Sequence, residues 1–102
     1  MDMKKLMRQA QQMQNNINAA QEELATMENS AEAGGGMVKA TVNGELELVS
    51  LDIKEDVLSM ADAEMIQDLV VAAVNEAMRG MKEISESKMS MATGGLNIPG
   101  LS

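Results

Sequence analysis

The residues best equipped for chemistry stand in the first eight positions. Lys4, Lys5 and Arg8 place three fixed cations within two helical turns, with Lys4 and Arg8 four residues apart on one helix row. Clustered ammonium and guanidinium groups hold oxyanions through charge-assisted hydrogen bonds, so the chemistry they offer is anion binding. Lys39 and Lys54 fall in a stretch with strand character and either extend such a surface or act as solvated lysines that guard a sheet edge. Acid–base chemistry has weaker support. Asp52 with Glu55 or Asp56 forms a carboxylate pair, but 16 acidic residues in 102 make such neighbours by chance. The chain has no His and no Cys, which removes an imidazole base, a thiol nucleophile and a disulfide framework. No Gly-x-Ser-x-Gly turn and no Gly-Lys-Ser/Thr loop is present, and the glycines at 34–36 precede a strand rather than a helix N-terminus. Metal binding is left to carboxylates and carbonyls, which suit only a hard cation. A non-enzyme is expected, with no metal, no cofactor and no small-molecule substrate.

Charge is distributed unevenly along the chain. Residues 1–21 hold Lys4, Lys5 and Arg8 against Asp2, whereas residues 22–32 hold only the acids Glu22, Glu23, Glu28 and Glu32. The rest is acidic in both halves, and the formal charge is -8 with a pI near 4.3. The first helix is therefore charged against its own macrodipole, at a cost of about 0.3–1 kcal/mol per misplaced charge at low salt. The second helix obeys the dipole, with Asp62 and Glu64 leading and Arg79, Lys82 and Lys88 trailing. Cations kept where they destabilise a helix suggest an anionic partner; the same pattern also describes a frayed, solvated terminus. A dimer would carry about -16, so long-range steering toward nucleic acid is poor and any duplex contact must be local. Phe, Trp and Tyr are absent, which removes the platform on which single-stranded bases stack.

The elements that position these groups follow from periodicity. Residues 2–32 contain no Gly or Pro, and Met3, Ala10, Ile17 and Leu24 repeat every seven beside Leu6, Met13, Ala20 and Met27. That is a coiled-coil seam, and it predicts a helix over 1–32 about 45 Å long whose N-terminal half projects. Residues 33–58 read as an antiparallel sheet of two to three strands. Val38, Ala40 and Val42 alternate with Lys39 and Thr41, and Asn43-Gly44 marks a hairpin. Leu46 and Leu48 share one parity and Val49, Leu51 and Ile53 the other, which requires a bulge or a further break. Residues 54–61 are expected to be a connection. A second helix over 59–89, capped by Ser59 or Asp62, carries a wide apolar stripe from Met65 to Ile84, suited to covering a sheet. Residues 90–102 form a Gly/Pro tail in which Leu96, Ile98 and Leu101 suggest a docking arm.

The fold class expected is thus α/β of the α+β type, helix–sheet–helix, in one domain. A 102-residue chain whose core is Met, Ala, Val, Leu and Ile buries little apolar area, so an obligate oligomer is expected. No stretch is long and apolar enough to span a bilayer, and the polar N-terminus is not a signal peptide. A soluble, cytoplasmic protein is expected.

Together these segments resemble the YbaB/EbfC family of bacterial nucleoid-associated proteins. The resemblance rests on MKKLMRQAQQMQ at Met3–Gln14, GGGMVKATVNGE at Gly34–Glu45, DLVVAAVNEAM at Asp68–Met78 and KMSMATGGLNIPGL at Lys88–Leu101. Their order and spacing, closing on GGLNIPG, carry it over nearly the whole chain. It implies an intertwined, tweezer-like homodimer with projecting helices. It further implies binding of duplex DNA with little sequence specificity, a change in DNA conformation, and a part in nucleoid organisation and gene regulation. By carry-over the DNA-contacting residues are Lys4, Lys5 and Arg8; Lys39 and Lys54 are added to them from the charge pattern alone. One departure is IKEDVL at 53–58, where relatives often have a Pro after the acidic residue. The alternative is a protein-interaction module, accessory to DNA-repair or recombination proteins or a chaperone-like scaffold. Helix–hairpin–helix order with heptads also resembles prefoldin-type subunits, although those need a second seam and this chain has Gly80 there.

Overall fold

The computed structural model describes residues 2–60 and 62–94, the side chain of Met60 excepted. In chain order these form α1 (Met3–Thr26), β1 (Glu28–Ala33), β2 (Val38–Asn43), β3 (Leu48–Ile53), α2 (Glu55–Met60) and α3 (Ala63–Ala92). The strands make one antiparallel sheet in the order β1-β2-β3. The long helix, three-stranded sheet and second long helix agree with the fold class expected.

The main correction is β1. Residues 28–32 were expected to continue the first helix, but α1 stops at Thr26 and the chain turns extended at Met27. The physical cause lies in β2. Val38, Ala40 and Val42 are completely buried, so the backbone of β2 has no water on either side and needs a ladder on both. β3 supplies one, and Glu28–Ala33 supplies the other in six consecutive pairs, from Glu28 opposite Asn43 to Ala33 opposite Val38. Gly34, Gly35 and Gly36, all at positive φ, then form the hairpin turn rather than a helix stop.

The turn at Asn43-Gly44 is where the sequence places it, but it is built differently. Asn43 Oδ1 accepts from the backbone N–H of Glu45 and of Glu47 at 2.9 and 3.0 Å, and Leu46, not Gly44, takes the left-handed conformation. Gly44 is there for space: a Cβ on it would lie 1.7 Å from the carbonyl oxygen of Leu24, and its N–H donates to Met27 O. The end of α1 is thus seated on the hairpin loop. Beyond the loop the expected bulge is present, since Thr41 pairs with Ser50 and Val42 with Leu48, leaving Val49 extra. This aligns Leu48, Leu51 and Ile53 on the face that Val42, Ala40 and Val38 turn toward α3.

Residues 55–60, expected as a connection, form the short helix α2, and Ser59 bonds back to carbonyls within it. The cap of α3 is Asp62, whose carboxylate accepts from the N–H of Met65 at 2.8 Å. α3 runs on to Ala92, past the expected end at residue 89, and residues 95–102 of the tail lie outside the described residues. Its stripe covers β1 and β2, with Ala73, Ala77 and Met81 meeting Val38, Ala40 and Val42 in the core. This packing departs from a prefoldin-type pair of seams. Gly80 makes room for Asn29, whose side-chain N–H donates to Ala77 O at 3.0 Å.

Only the C-terminal half of α1 is packed, through buried Ala20 and Leu24, while residues 2–12 are exposed. The molecule measures 70 × 21 × 17 Å with a radius of gyration of 19.2 Å, against about 13 Å for a compact chain of this length. The close approach at Gly44 gives a stability test. Gly44→Ala is expected to lower the unfolding free energy by at least about 2 kcal/mol, because a backbone carbonyl cannot move aside. Gly35→Ala, with open space but φ of +68°, is expected to lose about 1 kcal/mol. Urea unfolding followed by circular dichroism measures both, and equal losses would remove the close approach as the role of Gly44.

Candidate nucleic-acid interface

α1 begins at Met3 because Asp2 caps it, its carboxylate accepting from the N–H of Lys4 at 3.1 Å. The helix then carries its cations away from the core. At 100° per residue Lys4 and Arg8 fall on the side remote from Ala20 and Leu24, and Lys5 falls on the flank, roughly 60° from Ala20. All three are exposed. Among the described residues the ion pairs are Arg79 with Glu76 and Lys88 with Glu23, so no carboxylate there neutralises the tip.

The direction of α3 explains why the tip stands clear. Lys88 pairs with Glu23, and Ala92–Gly94 lie beside Gln9, Gln12, Met13 and Asn16, so α3 runs antiparallel to α1. Residues 3–8 extend past Gly94, the last residue described. The antiparallel arrangement also resolves half of the reversed dipole. The carboxylate of Glu23 sits at the unfavourable end of α1 because Lys88 of α3 reaches it. The cations at the other end have no such partner among the described residues.

Lys39 and Lys54 lie elsewhere. Lys39 is on the sheet face turned away from α3, flanked across the strands by Glu32 on β1 and Asp52 on β3. Lys54 follows β3, with its ammonium 3.9 Å and the Glu32 carboxylate 3.4 Å from where a Cβ on Gly36 would stand. Both belong to the sheet end that holds the Gly34–Gly36 turn, and α1 leaves from the other end, beside Gly44. The five cations therefore do not form one surface: three stand free at the arm's tip, and two stand among carboxylates at the far end of the sheet. Three further cations, seen in the sequence only as charges that suit the dipole of the second helix, complete the set: Arg79 pairs with Glu76 on α3. Lys82 is exposed on α3, and Lys88 ties α3 to α1; the acids at the end of the first helix were the signal for that tie.

No cluster of titratable groups lines the groove beside α1 among the described residues. The groove of about 340 Å³ between α1 and α3, floored by Leu24 and Gly44, offers Glu45 as its one titratable lining group among the described residues. No group of three or more carboxylates among the described residues is placed to hold a metal ion. No described helix is long and apolar enough to cross a membrane.

Similarity to known proteins agrees with this geometry. Residues 1–96 match the YbaB/EbfC DNA-binding family. A nucleoid-associated protein of Thermoanaerobacter pseudethanolicus is 54% identical over 96 residues, covering 94% of this chain and 86% of that one. A nucleoid-associated protein of Alkaliphilus metalliredigens is 46% identical over 100 residues, covering 98% and 88%. An uncharacterized protein of Helicobacter pylori, known from its crystal structure, superimposes with a TM-score of 0.71 at 28% identity, covering 85% of this chain and 91% of that one. The chain therefore belongs to the YbaB/EbfC DNA-binding family and is a DNA-binding protein rather than an enzyme.

Proposed function

We propose that the protein binds duplex DNA as a homodimer through its arm tips, with little sequence specificity, and alters the conformation of the DNA. Its place is the nucleoid, where it contributes to organisation and gene regulation, in keeping with the names its relatives carry. The observation that carries the reading is the unpaired Lys4/Lys5/Arg8 tip on a projecting helix of a protein whose charge is otherwise acidic. Contacts from such a tip go to phosphates, which give affinity without base readout.

A second copy is favoured by what α3 leaves uncovered. α3 lies over β1 and β2, so Leu48 and Leu51, on the inner face of β3, are 44% and 40% exposed. Val71 on α3 is 57% exposed. β3 is also an edge, with one row of backbone donors and acceptors unpaired in the sheet. A second copy laid against β3 buries this apolar strip and leaves each α1 arm directed outward.

Both halves of the reading can be tested. In anisotropy of a labelled duplex, affinity is expected to fall linearly with the logarithm of salt concentration and to be similar for unrelated sequences. Replacing Lys4, Lys5 and Arg8 with Gln is expected to weaken binding and to lower the salt slope by about 1 for each cation that engages a phosphate. An unchanged slope would move the interface away from the tip. In sedimentation the wild-type chain is expected at twice 10.9 kDa. Leu51→Asp is expected to run at the mass of one chain while keeping its helical circular dichroism, because the single chain already exposes that position. A variant that remains dimeric would exclude β3 as the contact.

A further inference from the structure

The tip carries an apolar row as well as cations. At 100° per residue Met3 and Met7 form one row four residues apart, and Lys4 and Arg8 form the row beside it. Met3 also heads the row that runs through Ala10 and Ile17 to Leu24, with Leu6, Met13 and Ala20 on the row beside it, whereas Met7 stands roughly 100–140° round the helix from Leu24 and Ala20. Met3 is 66% and Met7 67% exposed, and Ala20, the first buried residue of the helix, comes thirteen residues after Met7, counted as 20 - 7. Two large thioether side chains held in water, each next in sequence to a phosphate-binding cation, are not part of any core.

We propose that Met3 and Met7 are the apolar wedge of the DNA-binding tip. Lys4 and Arg8 hold phosphates at the edge of the minor groove, and the adjacent methionine row inserts against a base step, unstacks it and kinks the duplex. The inference rests on the tip reading above and names how that tip deforms DNA. Charge complementarity selects the occupant. The row lies beside three cations clustered within two helical turns that form no ion pair among the described residues, and duplex DNA meets cations at its backbone and apolar wedges at its base steps. Methionine fits the task because it is unbranched and adapts its shape to the step it enters. In a chain without aromatics it is also the largest apolar residue available. A wedge reads deformability rather than base edges, so flexible pyrimidine–purine steps are favoured without a fixed recognition sequence.

The test uses a duplex of about 30 base pairs labelled at both ends, with energy transfer reporting bending and anisotropy reporting binding. Wild-type protein is expected to raise the transfer efficiency. Met3→Gln with Met7→Gln is expected to lose most of that rise and up to about tenfold in affinity, while keeping the wild-type salt slope, since no phosphate contact is removed. Met3→Leu with Met7→Leu is expected to restore bending, because leucine also serves as a wedge. Full bending by the Gln pair would overturn the inference and leave the cationic tip standing. Loss of the dimer in the Gln pair would overturn it too and assign the row to a second copy. If the variant lacking Lys4, Lys5 and Arg8 binds as tightly as wild type, the tip reading fails and the wedge falls with it.

Discussion

β2 cannot exist without a strand on each side of it. Its residues Val38, Ala40 and Val42 are wholly buried beneath α3, so every backbone group it carries must be paired within the protein. β3 satisfies one side through a hairpin that is local in sequence. The other side has to be closed by Glu28–Ala33, which is polar and has only Ala31 and Ala33 to add to the core. The ladder, more than apolar burial, makes this segment a strand. It also sets the rest of the topology: α1 must stop by Thr26, three glycines must turn the chain, and the end of α1 must seat on the hairpin loop at Gly44.

That requirement is also where the sequence was hardest to read. Glu28–Ala33 has no apolar alternation, and its Ala and Glu residues favour a helix, so nothing local announces a strand that exists to pair with β2. Elements with a local cause were legible. The parity change at Val49 marked a true bulge, Asp62 marked a true cap, and the stripe of α3 marked a sheet-covering face. Asn43-Gly44 gave the right place for a turn through a different mechanism, since the steric demand at Gly44 comes from Leu24, twenty residues away by 44 - 24. At the site, the sequence could group cations by position but could not tell which had carboxylates as neighbours. Only the register showed Lys39 between Glu32 and Asp52, and only the packing of α3 showed Lys4, Lys5 and Arg8 beyond its end.

The reversed charge of α1 now has two separate causes. At its C-terminal end the unfavourable carboxylate of Glu23 meets Lys88 of the antiparallel α3, a pairing between helices that offsets a cost within one of them. At its N-terminal end Asp2 recovers part of the dipole penalty by capping, yet the three cations that follow form no ion pair among the described residues. An intramolecular ion pair explains the first anomaly. The second has no ion pair among the described residues to account for it, which is why the tip, rather than the sheet lysines, carries the proposed reading.

An acidic protein that binds a polyanion is a contradiction only if its charge is treated as a point. The molecule is 70 Å long, and the sheet with its carboxylates lies at the end opposite the tip. At physiological salt the interaction between exposed charges decays over about 8 Å, so phosphates at the tip are screened from the acids at the far end. An approach along the sheet instead brings Glu32, Asp52, Glu55 and Asp56 within reach of the backbone and is opposed. The net charge of -8 therefore does not cancel the tip. It disfavours the other orientations, which favours the proposed approach, helix end first with the body held off the duplex.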